Sequence, residues 1–299
     1  MKKLVSTLFV ALLCLSSAIL HADDLLGRIP ASSQFVAILN SNKIIDCPIV
    51  APLLAETKKM LQAQGLSIDD GRSITALGIE LKDSEKVAFT ARMVSKYNNS
   101  AALKFWSSMP DELRKRPDFK EISKRAITFK PDTNITAGVT LLNKDMMQLI
   151  VSTEATDLTS PLKSGNTNVM FNAKKAFNIT GEPAIVLACD VKVFENSKKS
   201  DQQLPVKNVQ FAALVLDTVG TEGVSLTIYA LSSTPEAAAQ LTAMVDAMAK
   251  NLLAAPNVPP ALNKIQFGTN GKISYGKLIC TYAEIMAIIA SATPPAITR

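Results

Sequence analysis

Histidine is almost absent from this sequence, since the single example among 299 residues is His21. It lies next to small Ala22, at the end of an apolar N-terminal stretch, where a processing protease would cut. A mature chain beginning at residue 23 would have no imidazole, which is the usual general base for activating a serine or cysteine near neutral pH. Cleavage would therefore exclude Ser-His-Asp and Cys-His catalysis and leave carboxylate or Ser-Lys chemistry open.

Residues 1–22 predict a secretory signal peptide. Two lysines precede an apolar stretch that ends at Leu20, and Ala22 provides the small residue at the cut. A retained membrane helix is the competing interpretation, but a spanning segment needs about 20 strongly apolar residues, and Ser16 and Ser17 interrupt this one. We expect a periplasmic or secreted protein.

A lipid anchor on Cys14 is a third interpretation of the same segment. Bacterial lipidation sites usually place a small residue directly before the cysteine, and Leu13 is not small. Cleavage near Ala22 is therefore favoured. No later stretch is long and apolar enough to predict a transmembrane helix in the mature chain.

The sequence also has no strong excess of positive or negative charge. Removing residues 1–22 lowers the net charge from +6 to +4, because 30 basic residues then oppose 26 acidic ones. Proteins that bind nucleic acid concentrate positive charge more strongly, so that class of partner is not expected. With 47% hydrophobic residues, the chain can instead bury a large core.

The mature chain is poor in cysteine, with Cys47, Cys189 and Cys280 far apart. No Cys-x-x-Cys pair occurs and no histidine can complete a zinc set, so we expect no metal and no cofactor. One disulfide with a free thiol is possible in an oxidising compartment. Small, buried, apolar cysteines are the favoured interpretation, because Cys189 and Cys280 lie within strand-like segments.

Strand-like and helix-like segments alternate after a polar stretch at 23–33 that we interpret as a linker. Short polar links join several strand pairs, which predicts an α+β fold of mainly antiparallel sheets with helices packed on one face. Thr234 and Pro235 mark the start of the clearest helix. Asp46 and Gly65 are expected to bound an earlier helix, and Gly220 a hairpin turn. The expected strands lie at 34–40, 73–81, 86–94, 135–143, 146–153, 183–194, 209–217, 223–233 and 272–279.

Two segments share one order of elements. Residues 73–105 and 208–241 each contain two strands joined by a polar turn, followed by an Ala-rich helix start. An internal duplication would explain this, with a first α+β half at 23–160 and a second at 161–299. The linker between them would be the Ser, Thr, Pro and Gly-rich stretch at 155–170.

Aromatic residues are few, at 5%, and the single tryptophan stands in a basic region. Trp106, Arg114 and Arg116 are candidate binding residues for anionic lipid, glycan or nucleic acid. Acidic residues are interleaved through 111–121, so a solvated helical surface is the favoured interpretation of this region.

Met244 and Met248 on the long helix are the second candidate binding pair, because methionine adapts to apolar ligands. With Met286 they could line a pocket for a lipid. The favoured alternative is core packing, since an apolar helical stripe normally faces the interior. The stripe comprises Leu241, Met244, Val245, Met248 and Leu252.

No residue is assigned a catalytic role. Asp69 with Asp70, and Asp83 with Glu85, could act as paired carboxylates, but both pairs lie in turn-like segments. No phosphate-binding glycine loop, GxSxG or HExxH motif is present.

These observations favour an exported bacterial protein that is not an enzyme and that binds or scaffolds through its sheet faces or the groove between two halves. The possible partners are another protein, a cell-envelope component or a hydrophobic ligand. The first alternative is a periplasmic carrier or sensor of a hydrophobic ligand. The second is a hydrolase that uses two carboxylates facing each other across a cleft.

Overall fold

The structure is a computed structural model that describes most of the chain between residues 22 and 292. The predicted signal peptide and Cys14 lie outside the described residues. The residues not described are 1–21, 49, 64, 84–87, 99, 110–113, 155–156, 161–166, 193–207, 221–222, 256–257 and 293–299.

The described residues contain twelve strands, and each of the nine expected strands overlaps one of them. The other three, at 120–123, 126–132 and 266–270, were not expected. The strands are β1 Phe35–Asn40, β2 Ser73–Asp83, β3 Ala88–Tyr97, β4 Lys120–Ser123, β5 Ala126–Asp132, β6 Ile135–Asn143, β7 Met146–Ser152, β8 Ile185–Asp190, β9 Val209–Val219, β10 Gly223–Ser232, β11 Gln266–Asn270 and β12 Ile273–Thr281.

Seven α-helices and two short 3₁₀ helices connect the strands within the described ranges. The 3₁₀ helices are Asp69–Gly71 and Pro260–Lys264. The α-helices are α1 Ala22–Leu26, α2 Ser41–Ile45, α3 Ala51–Ala63, α4 Ala101–Ser107, α5 Val169–Ala176, α6 Pro235–Leu253 and α7 Tyr282–Ala292.

All twelve strands belong to one sheet in the order β11-β12-β10-β9-β8-β1-β2-β3-β7-β6-β5-β4. Each neighbouring pair is antiparallel, which confirms the α+β class and the antiparallel pairing. Outward from the central pair β1 and β8, one side runs β2, β3, β7, β6, β5, β4 and the other β9, β10, β12, β11. A duplication would produce the shared order of the first four strands on each side. The two halves at 23–160 and 161–299 stay a prediction.

Side chains alternate between two faces along each strand. We call the face that carries Val36 and Ile38 the back face. The opposite face carries Ala37, Leu77 and Leu187, which pair directly across β1, β2 and β8, and we call it the front face.

Helices α1 and α5 cover the back face. Leu25, Leu26 and Ile29 are 1%, 0% and 0% exposed, and they join Met170 and Phe177 in the largest buried cluster. Complete burial of a leucine contributes about 1.5–3 kcal/mol. The interpretation of residues 23–33 as a linker is therefore wrong, because this segment supplies core side chains.

Asn168 connects α5 to α1. Its side-chain oxygen accepts a hydrogen bond from the Met170 amide at 3.2 Å, which caps α5. Its amide nitrogen donates to the Leu26 carbonyl at 2.9 Å. Because Asn168 is only 2% exposed, both bonds are made away from water.

The front face carries α4 in one half of the sheet and α6 in the other. Ala101 and Ala102 of α4 pack with Tyr97 of β3. The Ser274 hydroxyl of β12 donates to the Ala238 carbonyl of α6 at 2.9 Å. The helices thus lie on both faces of a single sheet, and not on one face as expected.

Several expected helix and turn boundaries are present. The Thr234 side chain accepts from the Ala237 amide at 3.2 Å, and Pro235 opens α6. Gly65 after α3 and Gly220 after β9 have φ of +71° and +60°, where a side chain would be strained. Asp46 does not directly precede α3, since it ends α2 and binds Arg72.

In its described part, the charged region at 111–121 is helical at Arg114 and otherwise forms turns and a strand. Lys120–Ser123 forms β4 at the edge of the sheet, with all four residues exposed. Arg116 holds Asp118 through an Nε to Oδ1 contact of 3.0 Å. A short, charged edge strand resists pairing with other chains, which accounts for the mixed charge that the sequence shows here.

Candidate binding groove

An apolar groove of about 400 Å³ crosses the front face over the central strands. Two rows of side chains, paired from strand to strand, form its floor. The first row is Leu77, Ala37, Leu187, Leu214 and Ile228, and the second is Ile79, Phe35, Cys189 and Ala212.

The sequence produces this floor because the central strands lack polar alternation. In an antiparallel sheet with one wet face, every second residue is usually polar. The segments FVAIL, IVLAC and FAALVL instead place apolar residues on both faces. The back face is covered by helices, whereas Leu187 and Ile228 on the front face remain 44% and 51% exposed.

The groove owes its depth to small residues set among large ones. Ala37 and Ala212 occupy the floor, while Phe35, Leu77 and Ile228 stand around them. An alanine reaches less far from the sheet than these neighbours, so the surface is concave at the centre. The volume falls within the range of small-molecule pockets, which is about 300–1,000 Å³.

A second cavity of about 240 Å³ lies between the front face and helix α6. It shares Ala212 and Ile228 with the groove. Gly276 also lines it, and a Cβ there would lie 3.0 Å from the Phe267 ring. Because Gly276 has no side chain, the Phe267 ring has room to pack against the sheet.

Cys189 supplies the only thiol of the groove lining. It is half-buried, and burial raises its pKa, so it is a weaker nucleophile than an exposed cysteine. Cys47 and Cys280 are likewise free, and Cys280 is buried. The favoured interpretation of these residues as small apolar side chains agrees with this arrangement.

Trp106, Arg114 and Arg116 do not form one site. Trp106 is half-buried in the apolar clusters beneath α4, where it packs with Met109. Arg114 is exposed, and Arg116 is held by Asp118 and by the Lys130 carbonyl, which lies 2.5 Å from its Nη2.

The methionine stripe of α6 is more exposed than core packing predicts. Met244 is half-buried, while Met248 and Leu252 are 56% and 69% exposed. The interpretation of the whole stripe as core is therefore wrong. Neither methionine lines the groove or the cavity, to which α6 contributes Leu241, Thr242 and Val245.

The candidate carboxylates make ion pairs away from the groove. Asp69 binds Arg72 at 2.7 Å, and Asp70 binds Lys104 at 2.5 Å. Partial burial would raise the Asp70 pKa, but hydrogen bonds from Lys104 and Ser67 outweigh it and lower the pKa. Glu85 and the Asp83 side chain are outside the described part. Within that part, no three His, Cys, Asp or Glu residues are grouped so that they could hold a metal ion.

None of the helices in the described ranges has both the length and the apolarity to cross a bilayer.

No protein-family model matches the chain, and no curated protein matches it. Similar solved structures include crystal forms I, III and IV of TP0453, with TM-scores of 0.47, 0.45 and 0.43 and identities of 8%, 11% and 13%. The alignments cover 91%, 90% and 90% of this chain and 99%, 98% and 97% of the other.

Proposed function

We propose that this is an exported, non-enzymatic binding protein whose front-face groove holds a hydrophobic ligand. The observation that carries the proposal is the concave apolar floor, where Leu187 and Ile228 keep 44% and 51% of their surface in water. Removing apolar surface from water is favourable by about 25 cal/mol per Å². A ligand with an apolar surface of matching shape would gain this free energy.

The groove suits a small molecule better than a protein partner. Twelve residues line it, whereas a stable protein interface involves about 20–30 residues on each side. No carboxylate belongs to the described part of the lining, so the hydrolase hypothesis has no support from two acids converging on this cleft. A carrier or sensor of a hydrophobic ligand is therefore favoured over the scaffold and hydrolase alternatives.

Export is the second part of the proposal and rests on residues 1–22. An apolar ligand is poorly soluble in the aqueous space outside the cytoplasm, so a carrier there has a physical use. The intact mass of the protein recovered from the periplasm tests this. A mass that begins at Asp23 supports the proposal, and a mass that still includes Met1 contradicts it.

The ligand site is tested by Leu187→Lys, with Ile279→Lys as the matched control. Ile279 is 45% exposed in a strand, like Leu187, but it lies on the back face. An ammonium in the groove removes apolar contact and requires desolvation. We expect Leu187→Lys to weaken binding of a fluorescent fatty acid at least about tenfold, which is about 1.4 kcal/mol. Equal affinities in the two variants would contradict the site.

A further inference from the structure

The groove and the cavity beneath α6 lie along the same rows of side chains. The second row continues from Ala212 to Ala230 and Ser274, and the first continues from Ile228 to Gly276. These later positions line the cavity. Neighbouring strands are about 4.8 Å apart, so the path from β2 to β12 spans about 24 Å.

Helix α6 leaves this space open, whereas the opposite half of the sheet is filled. Beyond β2 the front face is covered by Trp106, Met109 and Phe119, which pack on Phe129 and neighbouring buried residues. Protein interiors rarely keep voids larger than a water molecule. The cavity of about 240 Å³ is therefore a notable feature of the α6 half.

Two hydroxyl groups that line the cavity beneath α6 are already hydrogen-bonded. Ser274 donates to the Ala238 carbonyl at 2.9 Å, and Thr242 donates to the Gly268 carbonyl at 3.4 Å. Among the residues that the structure describes, none with a charged side chain lines either space. A polar ligand group placed there would lose its bonds to water without replacement, at a cost that apolar groups do not incur.

We propose that the occupant is a single long, unbranched acyl chain that crosses the groove and ends beneath α6. This inference rests on the proposed function and specifies its ligand. A path of about 24 Å over five strand spacings suits a linear chain. The methyl end lies under α6, and the polar end leaves the groove beside β2, where it stays in water.

Calorimetric titration of the purified protein with octanoate, laurate and palmitate tests whether the site binds a long acyl chain. Each additional buried methylene should tighten binding about fourfold, up to and including palmitate. The affinity for palmitoyl-lysophosphatidylcholine should be within about threefold of the affinity for palmitate, because the lining contacts the acyl chain and not the head group. A large preference for either one would instead place the head group in the site and overturn the inference.

Variants that fill only the cavity beneath α6 locate the end of the chain. Ala230→Phe should lower palmitate affinity to the level of laurate and leave octanoate unchanged. Val245→Trp, at a helix position 36% exposed, should do the same and decides the result if Ala230→Phe fails to fold. Ile279→Trp on the back face is the matched control.

The outcomes separate the inference from the proposed function. Equal affinity for laurate and palmitate in the unaltered protein would overturn the inference while leaving the groove intact. Folded cavity variants that bind palmitate normally would overturn it as well. Failure of all three fatty acids to bind would contradict the proposed function itself.

Discussion

Replacing Asn168 by alanine tests the link between the N-terminal segment and the sheet. The change removes the cap of α5, worth about 0.5–2 kcal/mol. It also removes one of the two donors to the buried Leu26 carbonyl, which still accepts from the Ile29 amide at 2.9 Å, so this loss costs about 0.5–1.5 kcal/mol. Since Asn168 is 2% exposed, water cannot replace either bond without opening the core. We expect a total loss of roughly 1–3.5 kcal/mol in the free energy of unfolding.

Urea denaturation followed by circular dichroism measures this loss. Asn172→Ala is the matched control, because Asn172 is an exposed residue of the same helix. It should change the free energy of unfolding by less than about 0.5 kcal/mol. If Asn168→Ala were as mild as the control, the two hydrogen bonds would not be supporting the fold, and the assignment of α1 to the core would be wrong.

Three further changes probe the fold. Leu26→Ala should destabilise the protein by about 2–5 kcal/mol in the same urea assay, because Leu26 is 0% exposed; a loss below about 1 kcal/mol would contradict its burial. Gly138→Ala should lower the melting temperature in calorimetry, since its Cβ would meet the Leu158 carbonyl; an unchanged melting temperature would refute that contact. The hydrogen bond from Arg72 lowers the Asp46 pKa below 3.8. Asp46→Asn should therefore cost under about 1 kcal/mol at neutral pH. This difference should vanish in thermal melts as pH falls through the lowered pKa, and a difference that persisted in acid would contradict the ion pair.

The sequence predicts much of the fold where local signals are strong. Thr234 and Pro235 locate the start of α6, and Gly220 locates a hairpin turn, because their chemistry acts over a few residues. The edge strands β4 and β11 are missed, since short strands with exposed polar residues carry no periodic apolar pattern. The burial of Leu26 is missed because it depends on a helix 140 residues later in the chain, through the bond to Asn168.

The groove could be predicted only in general terms. A groove between two similar halves was expected, and the groove does lie over the central pair β1 and β8. Its residues were missed because apolar positions on both sides of a strand usually indicate burial on both sides. Met248 was predicted to bind a ligand because of its residue type. Ala212 and Leu187 instead form the site because strands that are distant in sequence pair with each other.

The most direct test of the acyl-chain site is an NMR titration of methyl-labelled protein with a fatty acid that carries a nitroxide near its methyl end. The proposed site predicts that the methyl signals of Ile228, Leu214 and Leu187 broaden, in decreasing order with distance from α6. The signal of Ile122, in the edge strand β4 at the far end of the sheet, should persist. Equal broadening of all four, or none at Ile228, would contradict the proposed site.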